Sequence, residues 1–447
     1  VRGGHVIALL AGLSGWGLHA ACAEPARDER AEIVAGEYVA HAADCGACHT
    51  LPGHAPFSGG LAFHLPMGTI RSTNITPDPK AGIGGYSEAE FARAVRQGIR
   101  RDGATLYPAM PYPSYARMTD ADVHALYVYF MKGVAPVATP VAPNDIVWPL
   151  SMRWPLVAWR MMFVPSRDQA GQQVRRAFAD PQLARGAYLV EGPGHCGACH
   201  TPRGIAMQEK ALTAADGPLF LSGGGAVDGW NPVSLRGEAR VGLGRWSEDD
   251  IVTFLRTGRV THAAAFGGMT DAIRHGTQHM TEEDLRAIAH YLKSLPPAQA
   301  EQATWRYDAA TGRALHAGDL SARGARAYVD NCAACHRTDG HGYPTTFPPL
   351  AGNPVVMDAS ATSLIRIVLT GSVLHATHQA PSSFVMPGFA ARMDDQAVAD
   401  VVSFIRQSWG NAAQPVSASD VAAVRRSTQA STQGQEGAAS SARQPMN

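Results

Sequence analysis

Six of the chain's seven cysteines fall into three pairs, each followed at once by a histidine. They read Cys45-Gly46-Ala47-Cys48-His49, Cys196-Gly197-Ala198-Cys199-His200 and Cys332-Ala333-Ala334-Cys335-His336. Two cysteines three apart with histidine next is the attachment pattern of c-type haem. One helical turn places both thiols under the porphyrin's two vinyl groups, where they form thioethers, and the adjacent imidazole projects at the iron. A zinc site would gather four ligands in one cluster, and a redox dithiol would sit in a βαβ context; neither setting accompanies these motifs. The expected cofactors are three covalent haem c groups, bound through Cys45, Cys48, Cys196, Cys199, Cys332 and Cys335. Their proximal iron ligands are His49, His200 and His336.

The sixth ligand decides what such an iron does. A methionine closing the other face fills both axial positions and raises the reduction potential, giving a one-electron carrier. The candidates must lie after a unit's middle helix and before its last. Met110 in Tyr107-Pro108-Ala109-Met110-Pro111 and Met386 in Val385-Met386-Pro387-Gly388 both stand in Met-Pro turns, which favour extended backbone. The corresponding candidate in the second unit is Met269, without the proline; Met280 and His262 compete with it. Met118, Met280 and Met393 recur just before the last helix of each unit, the place of residues that staple a helix onto its core. Pro348 is the candidate carbonyl for orienting His336, and Arg203 either pairs with a haem propionate or is solvated.

These residues are carried by three copies of one unit. Gly36 with Tyr38, Gly186 with Tyr188, and Gly324 with Tyr328 open a short helix ahead of each motif. Asn74, Asn231 and Asn353 each begin a loop in the alignment of the copies. Gly82-x-Gly84 and Gly242-x-Gly244 turns follow in the first two, and lack the strand context of a dinucleotide fingerprint. Ser87 with Glu90 has capping-box spacing and Ser247 is a matching cap. Thr119, Thr281 and Asp394 cap the final amphipathic helices, whose apolar residues recur at helical spacing. The predicted fold class is all-α: three tandem small domains over 30–135, 181–297 and 318–410, each binding one haem, with almost no strand.

Outside the repeat, Arg2, the apolar stretch Val6 to Gly17 and Ala21-Cys22-Ala23 predict a secretory signal peptide over 1–23. That places the mature chain on the periplasmic side of the bacterial cytoplasmic membrane. A connector over 136–180 contains Trp148, Trp154, Trp159, Met161, Met162 and Phe163, interrupted by Arg153, Arg160, Pro149 and Pro155. The charges and prolines forbid a span, and the mixture suits either a membrane surface or packing on a protein neighbour. From 411 to 447 the Ala/Ser/Gln-rich composition predicts a disordered tail, with at most one short helix near 419–426. Acidic and basic residues balance at 38 each, so no basic field attracts nucleic acid. No apolar run reaches the roughly 18 residues of a membrane-spanning helix.

The segments Glu191 to Arg203, Leu106 to Tyr115 and Asn331 to Asn353 resemble the triple-haem cytochrome c subunit of membrane-bound alcohol and sugar dehydrogenases, over about residues 35–412. The resemblance implies an electron-transfer subunit with no catalytic site of its own. Its implied partner is a large PQQ- or FAD-containing dehydrogenase subunit, and its implied acceptor is ubiquinone in the cytoplasmic membrane. It also carries the axial ligands over to Met110, Met269 and Met386. Asn231-Pro232-Val233-Ser234 departs from the Asn74-Ile75-Thr76 pattern, which marks the second site as the divergent one. The competing functions are a free periplasmic multihaem carrier and a multihaem peroxidase, the latter requiring one open iron position.

Overall fold

The structure, a computed structural model, describes residues 28–65, 67–174, 178–225, 228–299 and 303–441. The segment expected to be a signal peptide lies outside them.

Each repeat is built on one crossing of two helices. The pairs are Glu29–Ala42 with Asp120–Val128, Pro181–Glu191 with Glu282–Ser294, and Ala325–Asn331 with Asp395–Gln407. The glycine of each opening segment sits at the crossing. A Cβ on Gly36 would lie 2.0 Å from the Ala125 carbonyl oxygen, on Gly186 2.0 Å from that of Ala287, and on Gly324 2.2 Å from that of Asp400. Only a hydrogen side chain lets two backbones approach so closely. The final helices begin where their caps predict: the hydroxyls of Thr119 and Thr281 accept the N–H of Asp122 and Asp284, and the Asp394 carboxylate accepts that of Ala397. Ser87 with Glu90 and Ser247 with Asp250 form complete capping boxes on the middle helices Glu88–Gln97 and Glu248–Thr257.

Around each crossing lies a hydrophobic core: Phe91, Val95, Val123 and Phe130 in the first repeat, Leu189, Val190, Leu285 and Leu292 in the second, and Tyr328, Ile365, Val402 and Trp409 in the third. Met118, Met280 and Met393 are 3%, 7% and 8% exposed and belong to these cores. A smaller cluster of Ala265, Ile273 and Leu374 joins the second repeat to the third.

Two expectations are corrected. The chain is mostly helical but not all-α: the described residues contain three small antiparallel sheets. Ala62–Leu65, Gly68–Arg71 and Asp145–Ile146 make one, Arg259–Val260 with Ala263–Ala264 the second, and Ser372–Leu374 with Phe384–Met386 the third. Strands of two to four residues are too short to show an alternating pattern, and they form because loops must satisfy their backbone groups. The tail from 411 is also not simply disordered, since helix Ala418–Ser441 packs back on the third repeat. Val421 and Val424 enter its core, and the Arg425 guanidinium binds Asp395 at 2.7 Å and the Ala390 and Met393 carbonyls at 2.7 and 2.8 Å. Two valines among alanines and serines are a weak periodic signal, which tertiary contact makes sufficient.

In the connector, helix Trp154–Phe163 lays one face on the protein. Trp159 donates to the Ala206 carbonyl at 2.8 Å, and Arg153 donates to the Thr105 carbonyl while covering the Tyr107 ring. Its other face carries Trp154, Met161 and Met162 at 70%, 76% and 68% exposure. No helix among the described residues is long and apolar enough to cross a membrane.

Candidate haem-binding sites

Each cysteine pair lies on a short helical turn packed at the end of its repeat's opening helix: Cys45–His49, Gly197–His200 and Ala333–His336. The six thiols are unpaired. Burial pushes those of Cys45, Cys48, Cys196 and Cys332 up to about 12, and that of Cys199 upward. Among the described residues no group of three or more His, Cys, Asp or Glu is arranged to hold a metal ion.

The three motif histidines share one feature. His49 Nδ1 is 2.7 Å from the Thr73 carbonyl oxygen, His200 Nδ1 2.8 Å from that of Val233, and His336 Nδ1 2.9 Å from that of Pro348. A carbonyl oxygen only accepts, so in each ring the proton sits on Nδ1 and the lone pair on Nε2 is left to coordinate. Burial lowers the pKa of all three imidazoles, which keeps them neutral. The donor set therefore fits a covalent haem: two thiols on one turn, and beside them an oriented neutral imidazole.

The same hydrogen bonds correct the alignment of the loops. The residue after Thr73 is Asn74, whose side chain accepts the Thr76 N–H at 2.9 Å. The residue after Val233 is Ser234, whose hydroxyl accepts the Arg236 N–H at 3.1 Å. Ser234, not Asn231, thus stands where Asn74 does. Asn231 instead faces the third repeat, its N–H donating to Ser363 Oγ at 2.8 Å. The Gly-x-Gly turns agree with this register, because a Cβ on Gly82 would strike the Thr76 carbonyl and one on Gly242 that of Arg236.

Met110 and Met269 occupy matching places. The middle helix of each repeat ends at a left-handed glycine, Gly98 or Gly258. The chain then returns, with Leu106 N–H on the Gly98 carbonyl at 2.7 Å and Ala265 N–H on the Gly258 carbonyl at 2.8 Å. Each methionine follows four residues later and is half-buried. Met386 differs, lying on the return strand itself opposite Ser372, and it too is half-buried. His262 contacts Asp250 at 3.3 Å and the Trp246 ring. Arg203 is tied to backbone, donating to the Met207 and Ala198 carbonyls at 2.7 and 2.5 Å.

One group beside the second motif left no mark in the sequence. Glu209 is half-buried, with its Oε2 fully buried and unpartnered, and a Cβ on Gly197 would lie 2.6 Å from that oxygen. Burial pushes its carboxyl up to about 7, against the pull of Arg203 and Arg117.

A family model of cytochrome c matches residues 183–296 and 321–409. The chain is 56% identical over 399 residues to the alcohol dehydrogenase (quinone) cytochrome c subunit of Gluconacetobacter polyoxogenes, covering 89% of this chain and 85% of that one. It is 55% identical to the gluconate 2-dehydrogenase cytochrome c subunit of Pantoea cypripedii, over 88% and 89% of the two chains. Identity to the fructose dehydrogenase cytochrome subunit of Gluconobacter japonicus is 36%, over 90% and 84%.

Proposed function

The chain belongs to the family of dehydrogenase cytochrome c subunits, and from that premise we propose a three-haem relay between an alcohol- or sugar-oxidising subunit and ubiquinone. It is an electron-transfer subunit. The partner in this reading is a large subunit carrying PQQ or FAD, and the site of work is the periplasmic face of the cytoplasmic membrane. One haem c is attached in each repeat, through Cys45 and Cys48, Cys196 and Cys199, and Cys332 and Cys335. His49 with Met110, His200 with Met269 and His336 with Met386 would hold the irons.

The observation that carries this reading is the threefold Nδ1 contact to Thr73, Val233 and Pro348. A carbonyl partner fixes the tautomer, stops ring rotation and makes Nε2 more basic, as outer-shell partners of metal-binding histidines do. When bound, each haem supplies a one-electron couple. The chain's own residues would hold it: the thiols would anchor the porphyrin, the oriented neutral imidazole would bind the iron, and a soft neutral thioether would favour the reduced state. The exposed face of helix Trp154–Phe163, with Trp148 at 79% exposure beside it, supplies an apolar surface for peripheral membrane contact.

The test is purification from detergent-solubilised membranes. The expected result is a complex with a large dehydrogenase subunit that reduces a soluble quinone, with three haems per chain by pyridine haemochrome. Recovery of this chain alone from the soluble fraction, or a resting high-spin haem that binds cyanide, would overturn the reading.

A further inference from the structure

The contacts between the first two repeats are reciprocal. Tyr38, two residues after the crossing glycine Gly36, donates its hydroxyl to Asp284, the third residue of the second repeat's last helix. That hydroxyl also accepts the Thr281 N–H at 3.4 Å. Tyr188, two residues after Gly186, donates to Asp122, the third residue of the first repeat's last helix, and accepts the Thr119 N–H at 3.2 Å. The same pair is made twice in opposite directions, which is the signature of an isologous two-fold contact.

Contacts nearer the motifs follow the same symmetry. Four residues before Cys45, His41 stacks at 3.9 Å on the ring of His279, which lies two residues before Thr281. Four residues before Cys196, a Cβ on Gly192 would lie 3.7 Å from the Cβ of Arg117, which lies two residues before Thr119. Two more contacts, outside that symmetry, join the same repeats: Gly46, inside the first motif, faces the His275 ring, and His195, adjoining the second motif, meets the Tyr115 ring edge-on at 5.5 Å.

The third repeat lacks both halves of the device. Arg326 stands two residues after Gly324, and Ala397 is the third residue of the last helix. This repeat docks through arginines instead. Arg259 donates to the Ala380 and Ser382 carbonyls at 2.9 and 2.6 Å, and Arg366 lies 4.5 Å over the Trp230 ring.

We infer that Tyr38, Tyr188, Asp122 and Asp284 are positioning residues that lock the first two attachment motifs into a pseudo-two-fold pair. Haems 1 and 2 are then the strongly coupled members of the relay, and haem 3 stands outside the pair. The inference rests on the reading that each motif carries a haem. The two clamps are unequal. Arg185, in the same repeat as Asp284, fixes that carboxylate through two bonds of 2.8 and 2.7 Å, whereas no arginine bonds Asp122 among the described residues.

Circular dichroism in the Soret band of the full-length holoprotein tests this. Coupling between two porphyrin transitions falls with the cube of their separation and depends on their mutual angle, so a locked pair gives a bisignate couplet. The wild type is expected to show the couplet, Tyr188→Phe to weaken it, and Tyr38→Phe/Tyr188→Phe to collapse it to a single-signed band with haem content unchanged. Arg259→Ala, which loosens only the third repeat, is expected to retain it in full. Absence of a couplet in the wild type, its survival in the double variant, or its loss in Arg259→Ala would overturn the inference. If the double variant does not accumulate, Tyr188→Phe alone decides by the same criterion. Haem content measured on the same samples reports separately on whether all three motifs are loaded, so failure of that reading is distinguishable.

Discussion

Gly186→Ala puts the helix crossing to a quantitative test. The new Cβ would stand 2.0 Å from the Ala287 carbonyl oxygen and 2.7 Å from both the Ala287 carbonyl carbon and Tyr291 Cβ. Restoring even a 3.0 Å separation from the oxygen requires the two backbones to part by 1.0 Å, the difference of those distances. A gap of ~1 Å forfeits up to about half of each van der Waals well it opens. Leu189, Val190, Leu285, Ile288 and Leu292 all pack there, at 0–5% exposure. Overpacking of this kind costs about 1–3 kcal/mol before such losses are added. The better helix propensity of alanine returns roughly 1 kcal/mol. The net expectation is a destabilisation of about 2–3 kcal/mol, read as a fall of roughly 5–15 °C in that repeat's thermal transition. The assay is thermal unfolding of the holoprotein followed by far-ultraviolet circular dichroism. Gly225→Ala is the control, because nothing lies within 4 Å of a Cβ there; it is expected to be neutral. A Gly186→Ala protein that melts with the wild type would refute the argument that backbone contact dictates this glycine, and with it the same argument for Gly36 and Gly324.

Two further outcomes are expected. Met269→Ala should abolish the methionine–iron charge-transfer band of one haem, whereas Met280→Ala should leave the spectrum intact and cost about 2–5 kcal/mol of stability, since Met280 is 7% exposed in the second core. Spectra and melting curves of the two variants distinguish the roles, and a reversed pattern would reassign the ligand. Glu209 makes stability depend on pH: a carboxyl whose folded pKa lies above its unfolded value contributes stability that is present below the unfolded pKa and lost as pH rises through the folded one. With the shift from 4.5 to about 7, roughly 3 kcal/mol is at stake across that window. Glu209→Gln should therefore flatten the pH dependence and be more stable than the wild type at pH 8; equal slopes in urea titrations across the window would count against it.

Legibility followed the range of each interaction. The cysteine–histidine motifs were readable because haem attachment needs thiols and imidazole within one helical turn. The caps at Ser87, Thr119, Ser247, Thr281 and Asp394 were readable because their hydrogen bonds close within three residues. The carbonyl partners of the imidazoles were not, except Pro348. They lie 24, 33 and 12 residues after their histidines, offsets set by loop insertions that carry no pattern. Hence Asn231 could stand in for Asn74 in an alignment, while hydrogen bonding gives that place to Ser234.

By itself the sequence determined three copies of the haem-attachment motif, the helix starts around them and a glycine ahead of each, since each rests on covalent spacing or on a pattern repeated at fixed offset. Tertiary structure alone decided how the units meet. The tyrosines and acids that join the first two lie 246 and 66 residues apart, and nothing local to Tyr38 or Asp284 distinguishes a clamp from a solvated pair. It also decided that Ala418–Ser441 is a helix on the third core, because Val421 and Val424 gain a fixed conformation only from the apolar surface that receives them.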